Sequence, residues 1–197
     1  MVREKKQFNI VICGVGGQGL ITITKILAEA AMIEGLEVKT SELHGLSQRG
    51  GSVETHVRFG KDIFSPLVKQ ESANLIISIE AQESLKSCYY SSKKAGTVFL
   101  VNDFIAPILG QEDGKIKDVI KELEKCSGKV ILTPATTISE KELGNSVLAG
   151  IYLMNLALFK GIIPLKESSV LKAIERIVPA KYFDLNKRAF DLAKKKA

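Results

Sequence analysis

Histidine and cysteine are scarce in this chain: two histidines and three cysteines among 197 residues. Cys13, Cys88 and Cys126 stand far apart, with no C-x-x-C pair and no Cys/His spacing. That excludes a structural zinc, an iron–sulfur cluster or a disulfide framework built by this chain alone. Cys13 falls inside an apolar run and reads as a buried, inert thiol. Tryptophan is absent and aromatics make up 6% of residues, so no basic-aromatic platform for nucleic acid is present. The net charge of +6 is scattered, clustering only in "REKK" (3–6) and "AKKKA" (193–197), which read as solvated termini. No apolar run approaches the roughly 18 residues needed to span a bilayer. The start of the chain pairs charge with an apolar run, but glycines interrupt that run after about seven residues and no small-residue cleavage site follows. A cytosolic location is the expectation.

What is present suits a globular core. Apolar residues are 45% and charged residues 25%, the balance of a chain that buries one sizeable core. Apolar β-branched runs alternate with helical patterns. "FNIVICG" (8–14) reads as a strand, and the helix after it runs from about Leu20 to Glu34, with Ile23, Ile26, Leu27, Ala30 and Ala31 on one face and Gly35 ending it. "EVKTSE" (37–42) is a short second strand. "SVETHVRFG" (52–60) alternates Val53, Thr55, Val57 and Phe59 on one face, the period of a strand. "NLIISIE" (74–80) and "GTVFLVN" (96–102) are nearly continuous apolar runs, as in strands buried on both faces of a parallel sheet. A helix over 82–93 links them, a charged helix follows over 116–125, and "KVILTPA" is a further strand. Beyond Pro134 the chain reads as helical, with a break near Gly144 and two more helices in "KESSVLKAIERIV" and "KYFDLNKRAFDLAKKK". The expected fold class is α/β: a three-layer, Rossmann-like, doubly wound, mostly parallel sheet with a helical C-terminal third. The whole chain, 1–197, is expected to be one domain, with residues 1–135 forming the sheet part and 136–197 the helices packed on it.

The first candidate site is "GVGGQG", in which Gly14, Gly16 and Gly19 satisfy G-x-G-x-x-G, with Gly17 and Gln18 between them. Strand, turn and helix occur in the order a dinucleotide site requires. The glycines let the backbone approach a ligand, and the helix N-terminus offers free N–H groups. A P-loop is excluded because no Lys-Ser/Thr pair follows. Glu42, roughly 20 residues beyond the last glycine, stands where a ribose-binding acid is wanted. Two readings fit the turn: an anion or ligand site, and close strand–helix packing alone. Gln18 is the oddity, since a nucleotide site needs no amide there.

The second candidate is the segment that follows strand two. Glu42, His44, Gln48 and Arg49 fall within eight positions and precede Gly50 and Gly51. In a doubly wound sheet this loop lies beside the first glycine turn, at the carboxyl edge, so both segments face one crevice. Arg49 suits a bidentate contact with a carboxylate or phosphate, and the glycine pair permits close approach or a bulge. A solvated surface arginine is the other reading.

"GVGGQG" (14–19), "HGLSQRGGSV" (44–53) and "HVRFG" (56–60), with "LGNSVLAG" (143–150) and "FDLNKRAF" (183–190) later, resemble the gamma-type domain of the 2-oxoacid:ferredoxin oxidoreductases. The wording of 41–60 is most similar to the branch of that family acting on aryl pyruvates. The resemblance implies a subunit in a hetero-oligomer with a larger alpha subunit, which would carry thiamine diphosphate and the iron–sulfur clusters. Ferredoxin would be the electron acceptor through the complex, and coenzyme A a co-substrate. This chain alone would bind no cofactor, touch no nucleic acid or membrane, and be inactive in isolation. Sister enzymes use pyruvate, 2-oxoglutarate or branched-chain 2-oxoacids. Outside that family, the same turn fits a self-sufficient NAD- or FAD-binding oxidoreductase, or a small-ligand-binding domain.

Single residues have plainer readings. His44 is a proton donor or carboxylate orienter on one account and a hydrogen-bonded loop residue on the other. His56 and Arg58 share a strand face with Glu54, which suggests ion pairing. Asn145, after Gly144, suits a helix cap, with contact to the crevice as its alternative. Ser84 and Ser87 have no neighbouring base, and there is no nucleophile elbow.

Overall fold

The computed structural model describes residues 7–45, 50–107 and 114–197. Six strands form one sheet: β1 (Phe8–Val15), β2 (Glu37–His44), β3 (Ser52–Gly60), β4 (Leu75–Ser78), β5 (Val98–Asn102) and β6 (Lys129–Thr133), in the order β2-β3-β1-β4-β5-β6. β1, β4, β5 and β6 pair parallel, while β3 runs antiparallel to both β1 and β2. The mostly parallel sheet expected from the alternating pattern is therefore present, with one difference. β2 does not pair with β1, because β3 occupies the place between them.

Helices cover both faces. α1 (Leu20–Ile33), α3 (Ala135–Leu143), α4 (Ala149–Phe159), α5 (Glu167–Ile177) and α6 (Ala180–Lys196) belong to one side. The 3-10 helix Gln82–Tyr90 and α2 (Ile116–Cys126) lie on the other. Strand alternation sorts the side chains between them. Ile10, Ile12, Leu75, Ile77 and Leu100 join the α1 side, whereas Val11, Cys13, Ile76, Phe99 and Val101 join the α2 side. This is why β1, β4 and β5 read as unbroken apolar runs.

The helix expected over 82–93 is a 3-10 helix that ends at Tyr90, where Ser91 turns extended. Serine hydroxyls drive the departure. Ser84 donates to the Ala81 carbonyl and Ser91 to that of Cys88, giving the backbone local partners that compete with the α-helical ladder. Past Pro134 the helical region divides as expected near Gly144, which adopts φ 70° at the C-cap of α3. α4 is apolar on every side and buried from Ala149 to Leu158, making it the central helix of the C-terminal part.

Gly150 sets how closely α4 approaches the sheet and α1. A Cβ there would meet Ile23 Cδ1 at 2.5 Å and Ile79 Cδ1 at 2.8 Å. These are the ends of flexible side chains, so a methyl group is tolerated and a branched side chain is not. Gly150→Leu is expected to cost about 1–3 kcal/mol. In urea unfolding its midpoint falls while the denaturant slope stays unchanged.

Candidate functional site at the glycine turn

β1 lies between β3, which belongs to the α1–β2 half of the chain, and β4, which opens the other half. The turn after β1 therefore sits at the point where the sheet changes direction, the place where open α/β sheets bind ligands. Its backbone explains the glycines. Gly17 (φ 100°) and Gly19 (φ 78°) take left-handed conformations that disfavour any side chain, and Gly19 accepts the first amides of α1, from Thr22 at 3.0 Å and Ile23 at 3.2 Å. Gly14 answers to a different constraint. A Cβ on it would stand 2.6 Å from Gln18 Oε1, which folds back to accept the Val15 amide at 2.9 Å. The glutamine that a nucleotide site does not require is thus the brace of the turn. No side chain caps α1 and its first turn holds no acid, so the positive end of the helix dipole is left to whatever occupies the cleft.

Two clefts open on either side of this turn. The first, a cavity of about 480 Å³, brings Gly16, Gly17 and Gly19 together with Leu20, Ile21, Val53, Glu42 and His44. Residues from the two sequence motifs do therefore share one crevice. The contact is made by β3 and its approach loop: the Gly16 amide donates to the Gly51 carbonyl at 2.9 Å, and Gly50 beside it adopts φ 68°. Gln48 and Arg49 lie outside the described residues. His44 is exposed and its ring Nδ1 lies 3.3 Å from the Gly45 carbonyl. The second cavity, about 450 Å³, lies between Gln18, Gly19 and Thr22 on one side and Asn145, Tyr182 and Asn186 on the other, over a floor of Ile23, Leu148 and Ile151. Asn145 lies away from the crevice that the two motifs share and borders the second cavity instead. Its side chain accepts the Val147 amide at 3.0 Å as a cap.

The arrangement departs from a dinucleotide site. Glu42 pairs with Thr55 on β3 rather than with β1, which places it two interstrand spacings from the first strand, about 10 Å. A carboxylate in the cleft also opposes a bound phosphate. Among the described residues, no group of three or more His, Cys, Asp and Glu side chains could hold a metal ion, and no helix is long and apolar enough to cross a membrane.

Sequence reading missed the polar network beneath the first cleft. Glu54 and His56 face the α2 side of the sheet. The Val68 amide donates to His56 Nδ1 at 2.9 Å, so Nε2 carries the proton that meets Glu54 Oε1 at 3.0 Å. Ser87 donates to the other carboxylate oxygen at 3.0 Å. The pairing anticipated from strand periodicity is real for Glu54 and His56. Arg58 instead donates to the Asn9 and Gln7 side chains and to the Ser65 and Leu67 carbonyls. Burial alone would raise the Glu54 carboxyl, but hydrogen bonds from His56, Tyr90 and Ser87 outweigh it and hold Glu54 below its usual range. Burial, and then the bond to Glu54, push the Tyr90 hydroxyl up to about 12. The signal in the sequence was the Glu-x-His period of β3; the partners on the 3-10 helix lie about 33 residues away and leave no local trace.

Fold and site together define a doubly wound α/β domain whose glycine turn borders a cleft at the sheet's switch point. The model of the pyruvate ferredoxin/flavodoxin oxidoreductase family matches residues 9–196, and the chain belongs to that family. It is 37% identical to the indolepyruvate oxidoreductase subunit IorB of Thermococcus kodakarensis over 98% of this chain and 96% of that protein. It is 36% identical to IorB of Pyrococcus horikoshii over the same shares. Among solved structures it superposes on the pyruvate oxidoreductase subunit PORC of Thermotoga maritima with TM-score 0.70 at 22% identity, covering 97% of each chain. It also superposes on the 2-oxoglutarate:ferredoxin oxidoreductase of Magnetococcus marinus with TM-score 0.71 at 18% identity, covering 98% of this chain and 31% of that one. The fold is thus found both as a separate small chain and as part of a longer one.

The Glu54 network gives a pH test. Its folded value lies below the ordinary 4.5, so its stabilisation is present above that value and is lost as pH falls through the folded one. Glu54→Gln should therefore lower the urea midpoint at neutral pH, and the gap from the unmodified chain should close progressively below about pH 4.5. A gap that widens on acidification contradicts the assignment.

Proposed function

We propose that this chain is the small, beta subunit of an indolepyruvate:ferredoxin oxidoreductase, acting with a larger alpha subunit in the oxidative decarboxylation of aryl pyruvates to aryl-acetyl-CoA. The near end-to-end identity with IorB supports the substrate class. The observation that carries the subunit role is the rim of the glycine-turn clefts. Ile21, Val147 and Tyr182 line the two cavities and are 45%, 58% and 48% exposed. Large apolar side chains left in water around one concave site mark a surface that another chain covers.

On this reading the cofactors belong to the partner. Cys13 is buried in β1, and Cys88 and Cys126 form a pair with no third ligand among the described residues, a donor set that does not fit an iron–sulfur cluster. Thiamine diphosphate and iron–sulfur clusters, held in the alpha subunit on this reading, would supply the decarboxylation and electron-transfer chemistry. This chain's residues shape and orient. The free end of α1 between Gly17 and Ile21 offers a positive dipole to an anionic group of substrate, coenzyme A or the partner chain. Gln18 braces that turn, while Glu42 and His44 line the first cavity and Asn145 the second. Gln48, Arg49, Gly50 and Gly51 are assigned to the same interface. A stand-alone NAD or flavin enzyme is the weaker reading, because β3 separates the strand of Glu42 from β1, unlike the adjacent strands of a dinucleotide site.

Co-expression with the larger chain tests the proposal. The two chains are expected to co-purify, with 2-oxoacid-dependent ferredoxin reduction only when both are present. Ile21→Asp combined with Val147→Asp should abolish co-purification while the isolated variant keeps its thermal midpoint within a few degrees, since both positions are exposed. Full activity of the chain alone, or micromolar NAD or flavin binding by it, would falsify the subunit reading.

A further inference from the structure

Cys88, in the last turn of the 3-10 helix, and Cys126, the last residue of α2, are 38 positions apart in the chain, yet their sulfurs lie 3.1 Å apart. Their main chains are aligned by one hydroxyl. Ser91 Oγ donates to both carbonyls, at 3.1 Å to Cys88 and 3.0 Å to Cys126. The helices that carry them are locked by the same apolar layer, with Val119 and Leu123 of α2 packed beside Cys88 and Tyr90. Both thiols are half-buried at the floor of an open depression whose lining includes Lys93, Lys94, Lys125, Glu71 and Tyr89. Lys125 is paired with Glu122 at 2.6 Å, whereas Lys93 and Lys94 are exposed. The depression is therefore open, cationic at its edge and floored by two thiols in contact.

A protein disulfide needs its sulfurs about 2.05 Å apart on backbones that already face each other. Here Ser91 holds both main chains, and closing the 3.1 Å between the sulfurs asks for roughly 1 Å of sulfur movement. We propose that Cys88 and Cys126 form a redox-modifiable thiol pair, oxidised to an intrachain disulfide by a low-molecular-weight disulfide that bears carboxylates. Cys126 gives up its proton and its sulfur attacks one sulfur of the small disulfide. That S–S bond breaks, and the departing thiolate takes a proton from water. Cys88 then loses its proton and attacks the Cys126 sulfur of the mixed disulfide, forming the protein S–S bond and expelling the second small thiol. Two protein thiols are oxidised by two electrons, and the small disulfide is reduced to two thiols. Cys126, next to Lys125 in the lining of the depression, makes the first attack and Cys88 resolves it; burial, and then the neighbouring Cys126, push Cys88 up to about 12. Cys13, fully buried and pushed up to about 12 by that burial, stays out of the exchange.

Closure ties the 3-10 helix to α2. The same helix delivers Ser87 and Tyr90 to Glu54, and Tyr89, Tyr90 and Lys86 to the groove that borders His44 and Gly45. Oxidation thus stiffens the support of the first cleft without touching the glycine turn.

The test incubates the full chain with oxidised glutathione, alkylates the remaining thiols under denaturing conditions, and maps the peptides by mass spectrometry. The expected result is one alkylated cysteine per chain, Cys13, together with a Cys88–Cys126 linked peptide that dithiothreitol cleaves. The thermal midpoint should rise by roughly 5–15 °C, the effect of closing a loop of about 38 residues in a chain of this size. Cys88→Ser should accumulate a glutathione adduct on Cys126 and show no rise. The cationic disulfide cystamine, at equal concentration, should close the pair more slowly. Three alkylated cysteines, a cross-link between chains, or an unchanged midpoint in the cross-linked chain overturns the proposal. Faster closure by cystamine overturns its anionic co-substrate.

Discussion

The antiparallel insertion of β3 beside β1 is the constraint on which the site depends. Its register, from Phe8 opposite Phe59 to Val15 opposite Ser52, delivers Gly51 to the amide of Gly16 at the first residue past the ladder. A slip of one residue would turn Val57 and Phe59 away from the α1 side and bring Glu54 and His56 into the apolar layer. Burial on both faces forbids that slip. Thr55 adds a lock on the α1 side: the Thr24 hydroxyl donates to the Leu20 carbonyl, leaving Thr55 to donate to Thr24 at 2.7 Å. The strand that separates β2 from β1, and so departs from a dinucleotide-binding sheet, is also the strand that joins the two motifs.

The parts of the fold readable from the sequence are those fixed by local period. "NLIISIE" and "GTVFLVN" are apolar throughout because their strands, β4 and β5, are covered on both sides, and α1 shows its buried stripe at i, i+3 and i+4. Strand order is a matter of pairing between distant segments and has no period. Nothing in "SVETHVRFG" says that its neighbours are β1 and β2 at once. Its alternation is genuine, but the polar face is not solvated; Ser87, Tyr90 and Val68 cover it from more than ten residues away. The 3-10 form of residues 82–90 was hidden for a similar reason, since serine hydroxyls decide it against a composition that reads as helical.

The candidate site was legible as a pair of motifs and illegible as a geometry. Gly14 and Gly19 look alike in the pattern G-x-G-x-x-G, yet one makes room for a side-chain carboxamide and the other adopts a left-handed backbone. The amide that seemed superfluous for nucleotide binding turns out to hold the turn in place of a ligand. The thiol pair shows the opposite case. Spacing along the chain excluded a disulfide framework, because 38 residues between two cysteines carries no signal until packing sets them 3.1 Å apart.

These features divide the molecule by face. The α1 side carries the two clefts and their exposed apolar rim, and its core is apolar, from Ile10 through α4 to Phe190. The α2 side carries the polar network, the thiol pair and the single proton-sharing imidazole–carboxylate contact. A rigid apolar face suits a surface that must present one shape to a partner, because close-packed cores do not deform continuously. Hydrogen-bonded side chains on the opposite face respond to pH and to thiol oxidants without disturbing that shape. β3 is the element common to both faces: Glu54 and His56 point to one, and Thr55 and Val57 to the other. The same strand runs on through Val53 and Ser52 to Gly51, whose carbonyl accepts the Gly16 amide, so one element anchors the polar network on one face and the glycine turn on the other.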